Sequence, residues 1–247
     1  MNHKMSKIKN LFNQAHYQKF EEEKLKTLFK TKFQGKSLLD IGCGQGRYLR
    51  LLQEYCTKIK GIDANPDQVK NLLNEGFDAS LPNEPLQQKY DVLLMSHIVE
   101  HLSAQELVAF IDKYLPSLED DGYLIILTPL PGIRFWHDYT HIRPYTPQSL
   151  GMLFGIIGAP AAFRSKNKMN LEEIHFFRDS WRIRNNKYYF PFHTDNESIF
   201  TKTFRNMIFA TNVILAKIYI LSNGKAGTLA SWMGIYRNIN TTTPQNS

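Results

Sequence analysis

Four of the eight histidines fall in two short blocks, His97-Ile98-Val99-Glu100-His101 and Phe135-Trp136-His137-Asp138-Tyr139-Thr140-His141-Ile142-Arg143-Pro144. Imidazole titrates near neutral pH, so His97, His101, His137 and His141 are candidate catalytic residues, each able to take a proton from an acceptor. If the first block opens a helix, His97, Glu100 and His101 lie at i, i+3 and i+4 on one face. Two imidazoles and a carboxylate on one face suit acid–base chemistry or a metal. The plainer alternative is a helix start with Glu100 at its N-terminus and histidines that cap or pack. Arg134 and Arg143 lie in or beside the second block, and guanidinium is built for bidentate contact with a phosphate or carboxylate.

Both blocks follow apolar runs, Tyr90–Ser96 and Tyr123–Pro129, that read as buried parallel strands. In an open parallel sheet the ligand crevice lies at the carboxyl ends of the strands. The third chemistry-bearing segment sits at another such end. Lys36–Ile41 reads as the first strand, and Asp40-Ile41-Gly42-Cys43-Gly44-Gln45-Gly46 follows as a glycine loop into a helix from about Arg47 to Tyr55. Glycine there permits left-handed backbone and close approach of a ligand. A dinucleotide fingerprint would need glycine at 47, where Arg47 stands. A second strand closes on Asp63 and Ala64, about 20 residues beyond the first loop glycine, where a carboxylate can accept both hydroxyls of a ribose.

The D-x-G-x-G-x-G loop, with Asp63 at that distance, resembles the first motif of the class I S-adenosylmethionine-dependent methyltransferases. The resemblance implies an α/β, Rossmann-like, mostly parallel seven-stranded sheet with helices on both faces, plus N-terminal helices and a C-terminal appendage. It implies S-adenosylmethionine as cofactor, held by Asp40, Gly42, Gly44, Gly46, Asp63, Ala64 and Ser96. His97-x-x-Glu100-His101 is similar to the E-x-x-E-H segment of ubiquinone-biosynthesis-type O-methyltransferases and of small-RNA 2′-O-methyltransferases, with His97 in place of the first acid. That similarity implies a divalent metal on Glu100 and His101, with His141, or His137, as the further histidine. His141-Ile142-Arg143-Pro144-Tyr145-Thr146 resembles the H-x-R-P-[FY]-T segment of bacterial enzymes that methylate glycans and envelope metabolites.

The implied activity is methyl transfer to a hydroxyl of a small-molecule, glycan or lipid-linked acceptor. An RNA methyltransferase and a donor-binding protein without chemistry are the rival readings. No RNA-binding module accompanies the core, which disfavours nucleic acid despite the net charge of +7. Lysines concentrate in the first 32 residues, and basic residues recur from Arg164 to Lys187.

The alternation of strands and helices covers roughly 35–160 and sets the expected organisation. A helical cap spans 1–34, the donor-binding core 35–165, and a substrate, cap or interface segment 166–238. A disordered polar tail spans 239–247. Asn65-Pro66-Asp67 and Thr146-Pro147 read as helix starts, and Ser103 to Leu118 as an amphipathic helix. Cys43 and Cys56 lack metal-ligand spacing, and the first 30 residues lack the apolar run of a secretory signal. The expected setting is cytoplasmic, with peripheral contact to the inner membrane face as its variant. Thr203–Leu221 is apolar but interrupted by Asn206, Asn212 and Lys217, and is expected as a buried or interface helix. An interfacial anchor is the minor alternative.

Overall fold

The structure, a computed structural model, describes residues 2–86, 88–132, 135–158, 160–183 and 199–239. Seven strands form one sheet: β1 (Ser37–Ile41), β2 (Lys58–Ile62), β3 (Asp78–Ser80), β4 (Tyr90–Ser96), β5 (Leu118–Pro129), β6 (Met169–Ser180) and β7 (Gly227–Asn238). Their order is β3-β2-β1-β4-β5-β7-β6. The first five strands pair in parallel, and β7 runs antiparallel to β5. The order reverses between β1 and β4, so the glycine loop after β1 and the histidine block after β4 open at the switch point.

The central strands carry apolar residues on both faces because helices cover both. In β4 every residue but Asp91 is buried, and in β1 Leu38 through Ile41 are. Leu39, Ile41, Leu93, Met95, Leu124 and Ile126 pack with Leu107 and Ile111 of α5 (Ala104–Tyr114) and with Trp232 of β7. Helix starts follow local chemistry. Asn65 caps α4 (Pro66–Asn74), accepting the amides of Asp67 and Gln68. Ser103 and Glu106 form a capping box on α5, and Thr146 with Ser149 does the same for α6 (Pro147–Leu153).

The expected N-terminal helices are α1 (Asn2–Gln14) and α2 (Tyr17–Thr31). Several other expectations are revised. The helix after the glycine loop is short, α3 (Arg47–Leu52), and ends in a 3-10 turn, Gln53–Tyr55. The block after β4 does not open a helix. His97 takes a left-handed φ of 53°, and only Val99–His101 makes a single 3-10 turn. A shared helical face is therefore not what relates His97, Glu100 and His101. β3, β6 and β7 escaped the reading of alternating segments. β3 has three residues, and β6 is amphipathic for much of its length, with exposed and part-buried residues alternating from Asn170 to Phe176.

The chain divides into two compact units, Met1–Glu21 with Phe177–Ala230, and Glu22–Phe176 with Ser231–Ser247. In the first unit the chain's N-terminal stretch packs on its late helix, α7 (Ile199–Leu221): Phe12 meets Phe209 edge-on at 6.2 Å and Phe20 meets Tyr219 at 5.2 Å. By length and composition α7 is apolar enough to cross a membrane, yet only 17% of Thr203–Leu221 is buried. Of the expected alternatives, a buried or an interface helix, the buried one is overturned. All but the first residue of the 239–247 tail lies outside the described residues.

Candidate active site

At the tip of β1 the backbone turns through three left-handed glycines, with φ of 79° at Gly42, 52° at Gly44 and 77° at Gly46. Their surroundings differ. A Cβ at Gly42 would run into Ile98, and one at Gly46 into Leu72, so those two glycines serve packing as well as conformation. A Cβ at Gly44 would meet nothing within 4 Å. Gly44 is the glycine that presents bare backbone to open space. The contact of Ile98 with Gly42 also sets the histidine block against the loop.

Asp63 anchors this bend. One carboxylate oxygen accepts the Gly44 amide at 2.7 Å and the other accepts the Asn65 amide at 2.8 Å. The group is half-buried, and each oxygen has a further lone pair for a ribose hydroxyl. Ala64 is exposed beside it.

Asp40 is buried at 1% exposure, and neither carboxylate oxygen has a hydrogen-bond partner. Burial, and then the nearby charge of Asp63, push its carboxyl up to about 7. The hydroxyls of Ser80, at the end of β3, and Ser96, at the end of β4, are likewise buried without partners. Orphaned polar groups of this kind are rare and call for a ligand or water. Three of them at the carboxyl ends of the parallel strands β3, β1 and β4, with an open glycine backbone after β1, fit a polar, nucleoside-bearing donor. Ser80 was missed in the sequence because three residues give no periodic signal. Cys43, within the loop, is buried, and its thiol is raised by burial and by the charges of Asp40 and Asp63; it stays protonated. Cys56 is raised to about 12 by burial.

The second half of the site is built around Glu100, which is fully buried. Thr128 Oγ1, at the end of β5, donates to Oε2 of Glu100 at 3.1 Å, and His97 Nδ1 lies 3.4 Å from Oε1. The Glu100 carbonyl accepts the amides of Ile142 and Arg143 at 2.8 and 3.2 Å, docking the later loop onto the 3-10 turn. Tyr145 donates to the Leu102 carbonyl at 2.9 Å, and Trp232 Nε1 donates to the Tyr145 carbonyl at 2.8 Å. The loop is thereby fixed at both of its contacts with the sheet edge.

That docking brings His101 and His141 together, ring centroids 4.9 Å apart. Nδ1 of His101 lies 3.1 Å from the Thr140 carbonyl, and Nδ1 of His141 lies 2.8 Å from the Phe135 carbonyl. A carbonyl can only accept, so each Nδ1 carries the proton and Nε2 remains the basic nitrogen. Asp138, held below the usual carboxylate range by the Thr140 hydroxyl and amide, stands 3.7 Å from His141 Nε2. One ligand atom each from Glu100, His101 and His141 lie within 4.8 Å of one another. Imidazoles braced by carbonyls beside a carboxylate are a donor set suited to a divalent cation. His137 is exposed and lies outside that group. Arg143 is exposed, 5.8 Å over the Tyr145 ring, and Arg134 lies outside the described residues.

Residues 13–158, more than half of the chain, match the model of a methyltransferase domain family. The chain belongs to that family. The domain is of the class that uses S-adenosylmethionine, and Asp40, Ser80, Ser96 and Gly44 are the features that fit this donor. Among curated relatives it is similar to a sphingolipid C9-methyltransferase of Gibberella zeae, 28% identical over 107 residues, covering 38% of this chain and 21% of that protein. It is also similar to a ubiquinone biosynthesis O-methyltransferase of Chelativorans sp., 26% identical over 106 residues, covering 39% of this chain and 41% of that protein. The match thus spans less than half the length of either relative. The fold is shared with a SAM-dependent methyltransferase from Archaeoglobus fulgidus, with a TM-score of 0.53 at 20% identity over 88% of this chain and 94% of that one. It is shared also with the N-methyltransferase NodS from Bradyrhizobium japonicum, with a TM-score of 0.53 at 10% identity over 90% and 96%.

Proposed function

We propose that the chain transfers the methyl group of S-adenosylmethionine to a hydroxyl of a small-molecule, glycan or lipid-linked acceptor. The convergence of Glu100, His101 and His141 beside the glycine loop carries this reading. A sulfonium is already a good leaving group, so the domain must mainly position the donor and activate the nucleophile. Asp40 takes the donor's amino-acid end, Gly44 lets the donor reach the backbone, and Asp63 holds the ribose. A hydroxyl, unlike an amine, must lose a proton to attack. Glu100, His101 and His141 would hold a divalent cation, which lowers the pKa of a hydroxyl as it does that of water. His97 Nδ1 stands 3.4 Å from the other Glu100 oxygen and would pair with it when protonated. The O-methyltransferase among the relatives supports the oxygen acceptor, and the sphingolipid enzyme supports a lipid-linked one.

The test has two readouts. Calorimetry with manganese or zinc should show one site on the chelator-treated chain, weakened at least about tenfold in Glu100→Gln. Turnover of acceptors from a cell extract should vanish in His101→Ala while donor affinity stays near native. Unchanged cation affinity in Glu100→Gln would remove the metal from the reading. Near-native turnover in His101→Ala would remove the histidine, and a methyl carbon bonded to carbon or nitrogen in the product would remove the hydroxyl.

A further inference from the structure

The net charge is unevenly divided. The first compact unit carries twelve Lys and Arg against four Asp and Glu, a formal +8, which leaves −1 for the second. The basic unit also carries a run of exposed apolar side chains. Along α7, Phe204, Met207, Ile214, Ile218 and Leu221 are between 43% and 86% exposed. Their spacing, completed by Thr211, alternates three and four residues and keeps them on one stripe of the helix. Ile208, Ala216 and Tyr219 lie on a different face and supply the buried contacts. Lys217 is exposed next to Ile218, and Lys225 is exposed just past the helix end. Asn212, four and seven residues before Ala216 and Tyr219, lies on that packed face, where its side chain clasps the backbone amide and carbonyl of Ile183 at 2.8 and 3.0 Å.

We propose that the exposed stripe of α7 forms a docking surface for an anionic lipid bilayer, on which the helix lies in the interface plane. Charge decides between this occupant and a second copy of the chain. Two units of +8 brought face to face repel, whereas an anionic surface attracts each nearby Lys or Arg. An apolar stripe with lysines beside it, and a buried opposite face already packed on protein, is the form of a helix that lies on a membrane and does not cross it. Lys217 reaches the headgroups while its stem covers apolar surface. The surface is complete without the methyl donor and stands whatever the acceptor.

The purified full chain can be floated with vesicles of phosphatidylcholine, alone or mixed with phosphatidylglycerol, at low and high salt. Binding should be at least about tenfold tighter on the anionic vesicles and should weaken with salt. Met207→Ser/Ile214→Ser/Ile218→Ser should keep the native melting temperature, because these side chains are exposed, and lose at least about tenfold in anionic-vesicle affinity. Lys217→Gln/Lys225→Gln, which leaves the apolar stripe intact, should weaken anionic binding alone. Equal affinity for both vesicle types, no affinity for either, or undiminished binding by both variants would overturn the proposal. So would light scattering that showed a native dimer and a monomeric serine variant, since the stripe would then belong to a second copy.

Discussion

Replacing Asp40 with Asn separates a carboxylate kept for a ligand from one kept for the fold. Its side chain is 1% exposed and neither oxygen is bonded. Burial first, and then the charge of Asp63, lift its titration from 3.8 to about 7. At about 1.4 kcal/mol per pH unit, ionising Asp40 inside the ligand-free fold costs on the order of 4–5 kcal/mol. Between those values the unfolded chain has released this proton and the folded chain has kept it. Stability from this group is therefore full below pH 3.8, falls as pH rises, and is lost above about 7. Asn has the same shape and no proton to lose. Urea denaturation of both proteins without donor should show the native chain losing about 2–3 kcal/mol relative to Asp40→Asn between pH 5 and pH 8. In isothermal titration the variant should bind the donor product more weakly at pH 8, having lost the charge proposed to face the donor's ammonium. Stability curves that run parallel across this range would refute the account of Asp40. Undiminished affinity in the variant would refute its role toward the donor.

Gly44→Ala and Gly42→Ala should differ in kind. The first faces open space and should cost about 1 kcal/mol for its left-handed backbone while sharply reducing donor affinity; the second should cost about 2–4 kcal/mol through Ile98, read by thermal melts. Asp63→Ala should weaken donor binding by about 1–3 kcal/mol and release the Gly44 amide, visible as faster hydrogen exchange there; unchanged affinity in calorimetry would end the ribose assignment. Thr128→Val should leave the fold nearly intact and lower cation affinity, since it removes the hydroxyl that bonds Glu100 Oε2; equal cation affinity would show that Glu100 needs no such brace.

The glycine loop, the acid at 63 and the buried runs of β1, β4 and β5 were legible because each is local. A strand buried on both faces must be continuously apolar, and a left-handed bend must be glycine. The helix caps at Asn65, Ser103 and Thr146 were legible for the same reason: a cap acts within three residues. What the sequence could not settle is which histidine belongs with Glu100. That choice rests on the Glu100 carbonyl capturing the amides of Ile142 and Arg143, some forty residues on, and on two carbonyls that set the protons of His101 and His141. The block at 97–101 reads as a helix by spacing, yet at His97 the chain adopts a left-handed turn as its amide bonds to Leu127 at the end of β5. Likewise, the composition of α7 reads as a buried or interface helix, with an interfacial anchor as the minor alternative. Only the packing of Ile208, Ala216 and Tyr219 decided which face is taken and which is left to solvent, because burial is a property of neighbours and not of a segment.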